Sequence, residues 1–498
     1  MKLGYYSKRI IRSILSIIAI MMVIFTMVYS LVPRDNIFFE DSTFTKLSSK
    51  PDQKYEYKLR TWQKLGYLEY HTLNDYCSSL YKAGSEQIVA CNLADSKEAK
   101  DFVALYEAEG FTIDNLPVSG APIVFKDIPL IKRMVSWFTS IVNIDNPWKI
   151  QDENNPDLKR YITVGLTESK GVAVRCSGCE HKYLLYTDTN FPFIHQNLIY
   201  LTLGNSYPTY SGFEVLDVVT NSQGTDVKRP VQYETGNVGD SAIIFGSLRY
   251  KPVLDKLDHS KFLDHYASYT TKKGTPSMMG TSFIMGILAL ILSYVVGLPV
   301  GLAMAKHKDG IVDKLGMMYI IFIIAVPSLA YIYLFRYLGG KIGLPSVFPT
   351  LGAGDIRSWI LPVISLALPS ISSLMLWTRR YVVDQMNSDY VKFAKAKGLN
   401  QSEIFKNHIF KNAIIPIAQG IPSSLAGCIT GAIMTEAIYS VGGMGKMLPD
   451  AIKQYNNAMV IALSFLYSAI SIISVFLGDI VLIKIDPRIQ LQEKEGRS

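Results

Sequence analysis

Uncharged apolar runs long enough to cross a bilayer recur along the chain. A hydrocarbon core of roughly 30 Å takes about 20 helical residues. Such runs fall at Ser13 to Pro33, Thr281 to Ala305, Leu315 to Phe335, Ser358 to Thr378, Asn412 to Thr435 and Gln454 to Gly478. They predict six membrane-spanning helices, because a helix satisfies its own backbone polar groups where lipid offers none. The first run follows Lys2, Lys8, Arg9 and Arg12, which also suits a secretory leader. A leader has only about 7–15 apolar residues and a small-residue cleavage site; this run is longer and leads into Val32-Pro33-Arg34-Asp35, so a retained helix is expected.

The 247 residues from Arg34 to Gly280 are too many for a connection without structure of its own. Their pattern is mixed. Asp95 and Glu98 have capping-box spacing ahead of Phe102, Val103, Leu105 and Tyr106, and apolar positions recur at helical spacing from Ile128 to Phe138. Short runs at Tyr161 to Leu166, Tyr183 to Thr187, Leu198 to Leu203 and Ser241 to Phe245 predict strands. An α+β domain is expected over 34–280.

Charge orients the spans. With the N-terminus inside, the pieces 1–12, 306–314, 379–411 and 484–498 are cytoplasmic and carry 18 Lys and Arg against 8 Asp and Glu. That excess is the positive-inside pattern, and it places both termini in the cytoplasm and the 34–280 domain outside. The domain itself holds 27 basic and 30 acidic residues, so the overall +8 reflects topology and no nucleic-acid partner is expected. At 49% hydrophobic and 18% charged residues the composition excludes an ordinary soluble enzyme.

Four of the five cysteines lie in the outer domain: Cys77, Cys91, Cys176 and Cys179. Three readings stay open: disulfides, with Cys77 to Cys91 and Cys176 to Cys179 closing short loops; free thiols; or a zinc site using the Cys-Ser-Gly-Cys spacing. No histidine of this domain stands in a metalloprotease spacing, and neither a catalytic residue nor a metal site is assigned.

The most informative cytoplasmic stretch is Asp389-Tyr-Val-Lys-Phe-Ala-Lys-Ala-Lys-Gly398, followed by Leu399 to His408 and Ile414-Ile-Pro416. Asp389 to Lys397 reads as a short helix in which Ala394 and Ala396 let another surface approach. Gly398 permits a left-handed turn. Asn400 with Glu403 then starts a second short helix that ends before Pro416. The result is a rigid knuckle between the fourth and fifth spans.

This segment resembles the EAA loop of binding-protein-dependent ABC importers, with Asp-Tyr-Val where that family has an acidic residue and two alanines. Trp359 to Pro369, Tyr390 to Gly398, Lys406 to Pro416 and the tail Asp486-Pro-Arg488 are similar to the first permease subunit of oligopeptide and dipeptide importers of the Opp and Dpp type. With its large outer domain, the chain looks most like the Ami-type oligopeptide permeases of Gram-positive bacteria. The resemblance implies a type I ABC importer transmembrane fold of six helices, with the α+β domain inserted between the first and second. Its units are 1–33 (N-terminus and first helix), 34–280, a transmembrane core over 281–479 containing the coupling loop 384–416, and a cytoplasmic tail over 480–498.

It further implies a conduit for peptide that works by alternating access. Its partners would be a second homologous permease, two ATPase subunits that hold ATP and Mg²⁺, and an extracytoplasmic oligopeptide-binding lipoprotein. The residues it assigns to ATPase coupling are Asp389, Tyr390, Phe393, Ala394, Ala396, Lys397, Gly398 and Glu403. Two departures stand out: Gly442-Gly443 replaces a Pro-Gly pair, which suggests a looser turn, and Pro33-Arg34-Asp35 replaces Pro-Gly-Asp.

The chain lacks a phosphate-binding loop of its own: Gly445-Lys446 has neither the preceding glycine nor the following Ser or Thr. Gly297 with Gly301, and Gly427 with Gly431, have the spacing that permits close helix contact. Pro299, Pro327, Pro362, Pro369 and Pro422 mark bends. Arg336 and Glu436 lie near span ends, where snorkelling to an interface accounts for them. A membrane-anchored receptor or enzyme acting through the outer domain, and a proton-driven peptide carrier, are the competing functions.

Overall fold

The structure is a computed structural model describing residues 2–81, 85–144, 198–220 and 272–485, with isolated strands between 162 and 196 and between 222 and 268. Helix α1 (Lys2–Leu31) is followed by a 3₁₀ turn at Arg34–Phe38. Asp41 then caps α2 (Ser42–Lys46), its carboxylate accepting from the Thr43 and Phe44 amides at 2.8 and 3.2 Å. Pro51, whose fixed φ suits the first helical position, opens α3 (Pro51–Lys64).

A compact α+β unit comes next. Its strands β1 (Leu68–Thr72), β2 (Thr112–Asn115) and β3 (Pro122–Asp127) form an antiparallel sheet in the order β1-β3-β2. Between them run α4 (Leu73–Leu80), α5 (Glu86–Cys91) and α6 (Lys97–Ala108). One face of the sheet packs with Ile37, Leu59, Trp62 and Leu68, the other with Leu73, Phe102 and Val124. Cys77 and Cys91, both buried, are joined by a disulfide that ties α4 to α5. The Cys176 side chain and Cys179 lie outside the described residues. The α6 cap is Ser96, whose Oγ accepts from the Ala99 amide, one residue later than the Asp95 expected from spacing. Likewise the helix expected from Ile128 begins two residues on, as α7 (Leu130–Ser140), because Pro129 holds the N-cap in an extended conformation.

After α7 come β4 (Val142–Ile144), β5 (Ile162–Leu166), β6 (Val172–Cys176), β7 (Tyr183–Thr187), β8 (Ile194–Gln196), β9 (Ile199–Leu201) and α8 (Val215–Thr220). Strands β5 to β8 form an antiparallel sheet in sequence order, and β4 pairs with β9. The expected strands at 161–166, 183–187 and 198–203 correspond to β5, β7 and β9. The one expected at 241–245 overlaps a strand ending at Ser241, and 242–245 lie outside the described residues.

The C-terminal half is helical: α9 (Met278–Lys306), α10 (Ile311–Ala325), α11 (Ser328–Lys341), α12 (Arg357–Met386), α13 (Asp389–Ala396), α14 (Gln401–Ile404), α15 (Lys411–Gly431), α16 (Ile433–Tyr439), α17 (Met447–Lys453) and α18 (Asn457–Ile485). Among the described residues, α1, α9, α12 and α18 are long and apolar enough to cross a membrane. The third expected span is instead a pair, α10 and α11, bent by 109° at Val326-Pro327. Proline disfavours helical backbone at the residue before it, and Val326 is extended. Pro299, Pro362, Pro369 and Pro422 remain inside helices.

Small residues set the helix contacts. A Cβ on Gly301 would lie 2.8 Å from Thr378 Cβ and 2.9 Å from the Met375 carbonyl, and one on Gly297 3.1 Å from the Ile371 carbonyl. The first Gly-x-x-x-Gly pair therefore seats α9 on α12. The second pair does not act in this way: Gly427 has nothing within 4 Å of that position, and the surroundings of Gly431 lie outside the described residues. Gly478 of α18 takes the role at α15, where a Cβ would come 2.8 Å from the Gln419 carbonyl.

Two asparagines at the start of the last span fasten the N-terminal unit to the helical core. Buried Asn456 donates to Ser206 Oγ at 2.7 Å and Thr209 Oγ1 at 3.0 Å, and Asn457 donates to Tyr67 Oη at 2.8 Å.

Candidate functional site

Two features of the helical core are candidates for the functional site. The first is a groove of about 480 Å³ between α9, α12 and α15. Ser293 and Tyr294, Ser370 and Ser373, Trp377, and Ser424 give it its polar edges and largest ring, and no charged side chain lines it. Trp377 stacks on Tyr381 with ring centroids 5.5 Å apart, and the Arg380 guanidinium lies 5.2 Å from the Trp377 ring centroid. Pro369 and Pro416 also border the groove. The sequence did not single this groove out, because its residues come from three helices and share no local spacing.

The second feature is the knuckle between α12 and α15. Val391 and Ala394 of α13 are buried with Ala305, Val382, Ile404, Ile409 and Ala413. Tyr390 adds an anchor, its hydroxyl donating to Gln385 Oε1. The turn follows the sequence reading: Gly398 has φ +77°, in the left-handed region, and its N–H donates to the Lys395 carbonyl at 3.0 Å. Asn400 Oδ1 accepts from the Glu403 amide at 2.8 Å and starts α14.

Two expectations change here. The second helix does not end before Pro416. It passes through a wide π turn at Phe405–Phe410 directly into α15, with Pro416 inside. A helix in a membrane core tolerates such a proline because neighbouring groups re-satisfy the freed carbonyl. And Ala394 is not an outward contact: it is 5% exposed and lets α13 lie close against its own core. The outward face holds Asp389, Phe393, Ala396 and Lys397, with Phe393 70% exposed. Glu403 and Gly398 are exposed as well. Lys392 pairs with Asp389 at 2.8 Å and keeps its carboxyl below the usual range.

Near the knuckle two of the long helices are joined by a bidentate ion pair: Arg379 donates to both oxygens of Asp313 at 2.5 and 2.7 Å. This joins the start of α10 to the end of α12 where the side chains are largely out of solvent. At the opposite end of the core, Glu436 is fully buried rather than snorkelling. It accepts from Ser282 Oγ at 2.5 Å and from the Lys446 amide at 2.9 Å. A Cβ at Gly443 would stand 2.3 Å from its carboxylate, so the Gly442-Gly443 turn is tight where a looser one was expected. Arg336 is half-buried and donates to the Ile438 carbonyl at 2.8 Å. Sequence spacing misses both because their partners are supplied from distant segments.

Residues 297–491 match the family described as the inner-membrane component of binding-protein-dependent transport systems. The chain is 38% identical, over 99% of its own length and 99% of the relative's, to the oligopeptide transport system permease protein AmiC of Streptococcus pneumoniae. It is 31% identical to the dipeptide transport system permease protein DppB of Lactococcus lactis, over 42% of this chain and 69% of that one. With oligopeptide transport permease OppB of Salmonella typhimurium it shares 24% over 49% of this chain and 80% of that one. The helical core, the EAA-type knuckle and a full-length relative together assign the chain to the permease family of binding-protein-dependent ABC importers.

Proposed function

We propose that this chain conducts oligopeptides across the plasma membrane as one of two permeases of an ABC importer. The observation that carries this reading is the alignment with a named oligopeptide permease over the entire length, including the inserted domain. The shorter dipeptide relative covers only 42% of the chain. The groove chemistry agrees: serine and tyrosine hydroxyls and one broad indole suit a peptide backbone without selecting side-chain charge.

In this reading both termini are cytoplasmic, six spans cross the membrane with the bent pair counted as one, and the 34–280 domain lies outside to meet a peptide-loaded lipoprotein. A second permease closes the groove into a pathway. Two ATPase subunits hold ATP and Mg²⁺ and perform the hydrolysis. Asp389, Phe393, Ala396 and Lys397 face an ATPase groove, with Glu403 beside them; Val391, Ala394 and Tyr390 hold α13 to the core so that its movement is passed to α9 and α12. Closure of the ATPase dimer then shifts the spans between two access states.

Uptake of a labelled oligopeptide by cells lacking and regaining this chain tests the reading. Vanadate-sensitive, ionophore-insensitive uptake is expected only in cells that have it. Uptake that collapses with the proton gradient and ignores vanadate would overturn the reading.

A further inference from the structure

The inserted segment between the first two spans does not stand wholly clear of the bilayer. Helix α7 sits in the crotch between α1 and α18. The Arg133 guanidinium lies 3.9 Å over the Tyr29 ring and 4.0 Å over Tyr67, and four residues later Trp137 meets Phe25 at 6.4 Å and Phe465 at 5.8 Å between centroids. Leu130, Met134, Trp137 and Phe138 complete that contact with Met21, Phe25 and Ile461. Phe25 is six residues, roughly 9 Å at 1.5 Å per residue, below the end of α1 at Leu31. Phe465 lies eight residues, about 12 Å, from the start of α18. The helix therefore occupies the depth of membrane-spanning surface on two sides.

Its other side is open and carries an apolar stripe beside the exposed Lys132, Ser136, Thr139 and Ser140. Ile131 is 72% and Val135 52% exposed, one turn apart on the stripe facing away from α1. The ribbon that follows continues the pattern. Val142 pairs with Leu201 and Ile144 with Ile199, and all four are exposed. From Met134 to Ile144 and from Leu198 to Gly204 the sequence has no charge, whereas Lys126, Asp127, Lys132 and Arg133 cluster at the start of α7. The charges thus stop at the top of α7, and the part that runs down along α1, antiparallel to it, is uncharged. The exposed apolar surface of α1 itself, at Val23, Met27 and Leu31, is the lipid face that this patch extends.

We infer that the exposed apolar side chains of α7 and of the β4–β9 ribbon rest against the acyl chains at the interface of the leaflet on the side of the inserted domain, which in the orientation proposed above is the outer leaflet, with the ribbon's backbone edges at the hydrated headgroup level. The partner of this surface is lipid, not the second permease or the binding protein. Seated so, the domain is held against the membrane by lipid contact in addition to its two chain connections and the Asn456 and Asn457 hydrogen bonds.

Nitroxide labels test this in the assembled importer, in nanodiscs of phosphatidylglycerol and phosphatidylethanolamine. Val135→Cys and Ile144→Cys are compared with Val118→Cys, a 73% exposed position on the β2–β3 turn. All three are placed in a chain carrying Cys176→Ser, Cys179→Ser and Cys428→Ser. Collision with oxygen relative to water-soluble nickel chelate is expected to be several-fold higher at 135 and 144 than at 118. A ratio at either site equal to that at 118 would mean water. Shielding of either from both reagents would mean a protein partner. Each of those results overturns the inference, and neither bears on whether peptides are the substrate.

Discussion

Phe393→Ala should separate the coupling surface from the fold. The ring is 70% exposed in the isolated chain, so its removal takes little from the core formed by Val391 and Ala394. A buried Phe covers about 150–250 Å², and some 70% of that, about 140 Å², is available to an ATPase groove. At about 25 cal/mol per Å² this sets a ceiling near 3.5 kcal/mol. Association costs reduce what is realised, and an aromatic anchor at an interface centre is typically worth about 2–3 kcal/mol. Binding of the ATPase subunits should therefore weaken by roughly 30- to 150-fold. The assay titrates labelled ATPase subunits onto nanodisc-embedded permease pairs, with peptide uptake measured in parallel and thermal unfolding as a control. Phe393→Leu, which keeps most of the apolar volume, should restore most of the affinity. Unchanged ATPase affinity and unchanged uptake in Phe393→Ala would refute coupling through this face.

Further outcomes follow from the same geometry. Gly398→Pro should abolish uptake while leaving the chain in the membrane, because proline holds φ near −65° where the turn needs +77° and removes the N–H bound to the Lys395 carbonyl; normal uptake would remove the knuckle from the mechanism. Gly301→Ala should lower thermal stability in detergent by about 1–3 kcal/mol as its Cβ meets Thr378 and the Met375 carbonyl, whereas Gly427→Ala should not; equal effects would contradict the assigned contact. Cys77→Ser should destabilise the α4–α5 region by about 3 kcal/mol, the chain-entropy value for a loop near 15 residues, seen as faster proteolysis within 73–108; an unchanged rate would show that the link carries no stability. Glu214, buried beside α8, is raised to about 7 by burial against the opposing pull of the Leu203, Asp217 and Leu216 amides. Because its folded value exceeds the ordinary one, the stability it contributes is present in acid and lost as pH rises through about 7, at most about 3 kcal/mol. Hydrogen exchange in 203–220, corrected for intrinsic rate, should show less protection at pH 8 than at pH 5, and the reverse order would refute the assignment.

The sequence by itself determined the features that depend on neighbours along the chain. Apolar run length located the long helices α1, α9, α12 and α18, and the Gly398 turn and Asn400 cap were legible because a left-handed backbone and a side-chain cap are satisfied within a few residues. The tertiary structure decided whatever needed a distant partner. Only packing shows that Ala394 faces inward while Phe393 faces out, since both belong to the same eight-residue helix and the buried side is defined by Ala305, Val382 and Ala413. Glu436 reads as a charge at a span end until Ser282 and the Lys446 amide are brought to it from sequence distances of 154 and 10 residues. Gly297 and Gly427 share one spacing, yet only the first meets another helix, because spacing sets where a small surface can lie and not what is placed against it. The groove has no sequence signature for the same reason: its serines and Trp377 converge from three helices, and the order in which helices pack is fixed by all of their contacts together.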